Sequence, residues 1–320
     1  MSTELVTTTT EAGLATLSPE ALSYAVASRA PQTLRAYRAD LEHFGQWCSA
    51  RGLATLPATT ATVADYVADL ASTYKPSTIS RRLAAISVAH KVAGLESPTR
   101  SAAVLAVVTG VRRTLGTAPE QHEPAGIGEV RRMVARLDLA TTVGLRDRAV
   151  LLVGFALAAR RSELVALTVA DLADKEAGLV VSIRRSKTDQ EGRGTERALP
   201  YGTDPETCPV LAVRAWLTVA GITDGPVFRR IDRWGHIGAG MTGEAVADIV
   251  KRSAAAAGLD PTRYSGHSLR AGFCTTAAAR GATERAIARQ TGHAVNSPVL
   301  RTYIRHASTF TDNAATDLGL

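Results

Sequence analysis

The stretch YSGHSLRAGF, residues 264–273, sets His267 and Arg270 three positions apart ahead of a small, apolar, helix-forming run. Residues at i and i+3 are neighbours on a helix surface, so the pair could simply cap or solvate a helix end. The same placement also suits a phosphate. Backbone N–H groups at a helix N-terminus attract anions, and Arg and His add charged donors aimed the same way.

Other stretches carry candidates of the same kind. ALAARRSELVAL, residues 156–167, holds Arg160, Arg161, Ser162 and Glu163. Ser162 reads as a helix N-cap and Glu163 as a first-turn carboxylate that suits the helix dipole. Alternatively, Glu163 orients Arg160, because a guanidinium held by a carboxylate is pre-organised for bidentate contact with a phosphate. Lys187, in RRSKTDQEGRG, falls near a hairpin tip, where a basic residue is ordinarily a solvated charge. Lysine otherwise occurs only at Lys75, Lys91, Lys175 and Lys251, every remaining basic position being arginine. Arginine cannot release a proton at useful pH and lysine can, so a lysine amid arginines hints at proton donation. TGHAVNSPVLRTYIRHAS adds His293 and Tyr303. Taken singly, such a tyrosine is most often core and such a histidine a helix-end residue.

The elements that must hold these residues divide the chain. Residues 1–20 are Thr-rich and aperiodic and are expected to be disordered. Over 21–115 four helical patterns follow, the first with Pro31 in its opening turn, Leu34, Tyr37, Leu41 and Phe44 on one stripe, and Gly52 suited to its end. They imply a small helical bundle with Arg81, Arg82, Arg112 and Arg113 on its polar faces. Residues 116–126, GTAPEQHEPAG, have linker composition. From 127 to 320 helical patterns dominate, interrupted by a β-hairpin or small meander in which LVVSI and TERALP are the strands. The fold class is therefore mainly α: an N-terminal helical bundle and a mostly α second domain with a small antiparallel β-sheet. GAGMTG, residues 238–243, fits GxGxxG, but no βαβ unit surrounds it. It reads as a flexible turn with Thr242 capping the next helix.

Composition narrows the partners. A chain of 320 residues is long enough for two cores, and its net charge of +7 favours a polyanion such as nucleic acid. Cys48, Cys208 and Cys274 show no CxxC and no even framework, which argues against a disulfide scaffold or zinc finger; no metal or cofactor is expected. With no basic, apolar leader and no run of about 18 apolar residues, a cytoplasmic protein with no membrane association is expected.

The ordered set of Arg with x-S-E-L, hairpin Lys, H-x-x-R, G-H and Tyr resembles the tyrosine recombinase (phage integrase) family, across both halves of the chain. The resemblance implies a core DNA-binding domain at 21–115 and a catalytic domain at 127–320. It implies Arg160, Lys187, His267, Arg270, His293 and Tyr303 as the catalytic set, with Glu163 in support and Arg81, Arg82, Arg112 and Arg113 as candidate DNA contacts. The activity implied is site-specific cutting and rejoining of double-stranded DNA through a 3′-phosphotyrosine, by a homo-tetramer on DNA. A type IB topoisomerase would share the chemistry without strand exchange, and an inactive architectural DNA-binding protein would lack it. Ten positions separate His293 from Tyr303, one more than is usual in the family, so a loop must absorb the extra residue; Tyr264 is the rival tyrosine. After Tyr303, TDNAATDL has the pattern of a short tail helix of the kind that docks on a neighbouring subunit in relatives.

Overall fold

In the computed structural model, residues 30–117, 122–184 and 194–307 are described. Lys187, the Thr-rich start and the tail segment TDNAATDL lie outside the described residues. The chain forms two compact units that divide between residues 120 and 121.

The first unit contains α1 (Pro31–Ser49), α2 (Thr60–Leu70), α3 (Pro76–Val92) and α4 (Ala102–Leu115). Proline opens α1 and α3, where a missing N–H costs nothing. The side chains of Thr59 and Ser101 cap α2 and α4 by accepting backbone N–H groups. The apolar stripes meet in a core of Phe44, Trp47, Val63, Tyr66, Val67, Ile79, Ile86, Val104 and Val108. Tyr66 sits at its centre, its ring centroid 4.8 Å from Phe44 and 5.2 Å from Trp47.

One expectation for this unit is corrected. Arg82 does not occupy a polar face: it is buried, 3.7 Å from Asp40, donates to Tyr66 Oη at 3.1 Å and lies over the Tyr74 ring at 4.0 Å. Helix periodicity places residue 82 beside Ile79 and Ile86 on the inward stripe, where the aromatic hydroxyl and Asp40 take up its charge. Its neighbour Arg81 is solvent-accessible and held by Asp40 at 2.7 Å, Arg112 donates to Ser80 Oγ at 3.1 Å, and Arg113 is exposed.

The second unit is built around α6 (Thr142–Ala156), which follows α5 (Ile127–Val134). Every residue from Ala149 to Gly154 is buried, so α6 is enclosed on all sides, as its continuous apolar run requires. The charged residues before this run are buried but paired. Asp147 accepts from Arg146 at 2.7 Å and Arg252 at 2.9 Å, and Arg148 donates to the carbonyls of Pro205 and Glu206.

After α6 come α7 (Arg161–Ala166) and strands β1 (Leu172–Lys175), β2 (Gly178–Ile183) and β3 (Thr195–Pro200). They form an antiparallel sheet of order β1-β2-β3, with Leu179 opposite Leu199, Val181 opposite Arg197 and Ile183 opposite Thr195. The residues joining β2 to β3 carry Lys187. Next are α8 (Pro209–Val219), a ribbon of β4 (Arg229–Ile231) and β5 (Ile237–Gly240), then α9 (Gly243–Ala256), α10 (Ser268–Ala279), α11 (Glu284–Thr291) and α12 (Pro298–Ala307).

The GAGMTG segment is likewise corrected. Its first residues form β5 rather than a flexible turn, while Thr242 does cap α9, accepting from the Ala245 N–H at 3.3 Å.

At the other end of the unit, Ala125 is buried in the core, and its N–H donates to the Ser268 carbonyl at 2.9 Å. Gly272 lets α10 approach so closely that a β-carbon there would fall 1.7 Å from the Ala125 carbonyl oxygen. The start of α10, which carries His267 and Arg270, is thereby fixed on the body of the unit.

Candidate active site

Arg160 sits where the chain leaves α6 and turns into α7. Ala158 takes a left-handed conformation, φ 47°, to make that turn. Arg160, not Ser162, is the N-cap residue, because the Glu163 carboxylate reaches back to the Arg160 N–H at 3.0 Å. The other oxygen of Glu163 accepts from Arg160 Nη1 at 2.5 Å. Glu163 is buried, which opposes its charge, but Arg197 and Arg160 outweigh that and hold its carboxyl below the ordinary range.

Arg197 was not anticipated from the sequence. It lies on the inward face of β3, is 2% exposed, and donates through Nη1 to Glu163 Oε2 at 3.0 Å. The signal that could have found it is the alternation of TERALP, which puts an arginine on the face shared by Leu199.

Arg270, on the first turn of α10, is 1% exposed. Its Nη1 donates to the Ala158 carbonyl at 2.7 Å, so the strained turn that presents Arg160 also accepts Arg270. Its Nη2 donates to His293 Nε2 at 3.0 Å. His293 Nδ1 is 2.9 Å from Thr291 Oγ1, whose own hydrogen is directed to the Ile287 carbonyl at 2.8 Å. This network assigns the proton of His293 to Nδ1 and makes Nε2 an acceptor. Burial, then the charges of Arg270 and Arg160, push His293 down to about 4, so it is neutral at pH 7. Burial and the nearby Arg160 bring Arg270 down to about 10, which leaves it charged.

His267 Nε2 is 2.9 Å from Tyr303 Oη. The surroundings packed on its ring, followed by the charges of Arg270, Arg160 and Arg161, keep His267 below the usual histidine range although the residue is open to solvent. Tyr303 is raised, first by burial and then by Cys274. It is therefore a protonated phenol beside a neutral imidazole, the arrangement a base needs to take its proton. Tyr303 belongs to α12, which packs on α10 and α11 through Cys274, Ile287, Ala288 and Leu300. Between His293 and α12 the chain turns at Asn296, φ 67°, whose N–H donates to Glu284 Oε1 at 3.0 Å. The rival, Tyr264, is 4% exposed in the main core.

The structure thus brings Arg160, Glu163, His267, Arg270, His293 and Tyr303 together, the His267–Tyr303 pair lying within the charge of Arg270 and Arg160, and Lys187 lies outside the described residues. Fixed cations around a tyrosine hydroxyl and two neutral histidines can receive an anion, stabilise added negative charge on it and move a proton from the nucleophile.

Comparisons with known proteins give the family of the chain. Residues 128–309 match the phage integrase family, and residues 24–96 match the phage integrase N-terminal SAM-like domain. An integrase/recombinase of Selenomonas ruminantium, a xerD homolog, is 38% identical over 291 residues, spanning 90% of this chain and 85% of the relative. Recombinase cre of Escherichia phage P1 is 26% identical over 282 residues, spanning 81% of this chain and 80% of the relative. Among solved structures, XerH recombinase in a post-cleavage complex with palindromic difH matches with a TM-score of 0.63 at 16% identity, over 92% of this chain and 80% of that one. A lambda integrase dimer on a COC′ core site matches with a TM-score of 0.59 at 16% identity, over 86% of this chain and 89% of that one. At these identities the structural likeness is one of fold. The chain belongs to the phage integrase family, the tyrosine recombinases, and is a site-specific DNA recombinase.

Proposed function

We propose that this recombinase cuts and rejoins double-stranded DNA through a 3′-phosphotyrosine on Tyr303, with Arg160, His267, Arg270, His293 and Lys187 around the scissile phosphate and Glu163 in support. The observation that carries this is the 2.9 Å contact of Tyr303 Oη with His267 Nε2 beside two fixed arginines. Tyr303 Oη attacks phosphorus as its proton passes to neutral His267. The P–O5′ bond breaks, and Lys187 gives a proton to the departing 5′-oxygen. Arg160 and Arg270 hold the non-bridging oxygens as charge builds, and one well-placed donor of this kind is worth roughly 3 to 4 kcal/mol. The anion draws His293 toward its protonated form, and its Nε2 then gives up the Arg270 hydrogen and donates to the phosphate in turn. Rejoining runs the same steps backward; the ester is conserved, so no ATP is needed.

Each chain offers one such tyrosine, and exchange between two duplexes cuts four strands, so the working assembly is a homo-tetramer on DNA. A lambda integrase tetramer bound to a Holliday junction is among the structural relatives, with a TM-score of 0.58. Residues 21–115 form the DNA-binding domain, with Arg81, Arg112 and Arg113 toward phosphates; the linker that follows is shorter than 116–126, because Glu123 and Ala125 already pack in the second unit, which is the catalytic domain. Among the described residues no helix is long and apolar enough to cross a membrane. A DNA substrate places the enzyme in the cytoplasm.

The test is covalent trapping on a nicked suicide substrate, whose released 5′-hydroxyl strand diffuses away. The wild-type chain should form a denaturation-resistant adduct, and Tyr303→Phe should form none while binding the same DNA. No adduct from the wild-type chain, or an undiminished one from Tyr303→Phe, would overturn the proposal.

A further inference from the structure

Arg197 is a cation at a position that the sheet prepares for an apolar side chain. On β3 the inward residues are Arg197 and Leu199, and the facing residues of β2 are Leu179, Val181 and Ile183. Burying a guanidinium there is costly unless its hydrogen bonds are met.

Three groups meet them, and each borders the active site. Nη1 donates to Glu163 Oε2 at 3.0 Å and to the Leu157 carbonyl at 3.2 Å. Glu163 grips both the backbone and the side chain of Arg160, and Leu157 immediately precedes the strained Ala158. Nη2 donates to the Thr291 carbonyl at 3.4 Å, and the Thr291 side chain fixes the His293 ring. Between them Gly292 turns the chain at φ 67°, and a β-carbon there would lie 3.0 Å from Arg197 Nη2. Nε has no partner among the described residues, so the side chain is held by its forked end. One planar group therefore ties the turn before Arg160, the carboxylate that aims Arg160 and the turn that carries His293.

We infer that Arg197 is a positioning residue that fixes Arg160 and His293 relative to each other. The inference rests on both belonging to the active site. Arg197 touches no reacting atom; it acts through Glu163 and Thr291. Lysine would keep the charge but lose the fork that spans three acceptors.

The experiment compares Arg197→Met and Arg197→Lys in the full chain on the suicide substrate, with DNA affinity and thermal unfolding measured alongside. Arg197→Met should bind DNA within a few-fold of wild type, while single-turnover adduct formation at saturating DNA falls by about 10²-fold, the scale of a misplaced reacting group. Arg197→Lys should fold, bind normally and slow by about tenfold, a smaller loss on that same scale. Glu163 is ionised when it holds Arg160, and Arg197→Met removes its strongest attraction, so protonation of Glu163 should join that of His267 on the acid limb of the pH–rate profile and move the limb to higher pH. Adding Glu163→Gln to Arg197→Met should return that limb to its wild-type position and recover part of the rate, because both partners of the buried pair are then neutral. A purely structural role would change neither limb. Wild-type rate and profile in Arg197→Lys overturn the inference. So does a proportional loss of folding, binding and rate with an unmoved acid limb in both variants. If the wild-type adduct proves independent of Tyr303, the active-site assignment fails instead, and the two failures are distinct.

Discussion

Tyr303 Oη and His267 Nε2 lie 2.9 Å apart although 36 positions separate them in sequence. The contact exists because α12 folds back onto α10 of the same chain, through Leu300, Cys274 and Ile287. The tyrosine proposed as nucleophile and the histidine proposed to take its proton thus belong to the same chain.

The two candidate tyrosines therefore separate cleanly. Tyr264→Phe removes a hydroxyl from a core residue that is 4% exposed, and should leave adduct formation within a few-fold of wild type. Tyr303→Phe should abolish the adduct. A phenylalanine at 264 that eliminates the adduct would transfer the nucleophile to Tyr264 and sink the assignment.

A second expectation concerns pH. His267 accepts a proton only while neutral, and it is held below the ordinary histidine range by the groups packed on its ring and by Arg270, Arg160 and Arg161. Single-turnover cleavage should therefore be flat near neutral pH and fall only as pH drops through that lowered value. His267→Ala should slow cleavage by about 10² to 10⁴-fold, the usual share of general acid–base catalysis. It should also remove the acid limb. A profile that declines already above the ordinary histidine range would contradict a lowered His267.

How legible this was in the sequence depended on the kind of signal. Helices α1 to α4 are signalled by apolar positions and by proline, threonine or serine at their starts, α6 by a continuous apolar run, and Gly52 marks the end of α1 with a φ of 65°. The H-x-x-R pair was legible because the helix start alone fixes where residues 267 and 270 stand. Arg82 misled because its charge argued for solvent while its place beside Ile79 and Ile86 argued for the core, and the hydroxyl of Tyr66 decided the matter from another helix. Ser162 misled for a local reason: the carboxylate of Glu163, one residue on, does the capping instead. Arg197 could not be weighed without its acceptors, which lie 34 to 94 positions away.

His293 makes a prediction of its own. Its pKa is about 4 in the folded chain against an ordinary 6.5, so between those values the unfolded chain binds more protons. The contribution of this group to stability is thus complete above 6.5 and is lost as pH falls toward 4. A DNA phosphate brings negative charge to the site and should raise the value, so binding should take up a fraction of a proton at a pH between the two. Calorimetric titration with DNA in buffers of different ionisation enthalpy reads that uptake directly. His293→Gln should lose it. Equal uptake by wild type and His293→Gln would exclude His293 as the phosphate's partner.

The last prediction separates charge from proton donation at Lys187, motivated by a lysine set among arginines in RRSKTDQEGRG. Lys187→Arg keeps the positive charge but cannot readily release a proton. If charge alone matters, this variant cleaves normally; if proton donation matters, cleavage should fall by about 10² to 10⁴-fold. A substrate with sulfur in place of the bridging 5′-oxygen sharpens the comparison, because a thiolate departs without a proton. That substrate should restore cleavage by Lys187→Arg. It should do nothing comparable for Arg160→Ala or Arg270→Ala, which lose stabilisation of the phosphate oxygens rather than a proton. Rescue of the arginine variants, or a fully active Lys187→Arg enzyme on ordinary DNA, would return Lys187 to a solvated surface charge and leave the departing oxygen to another acid.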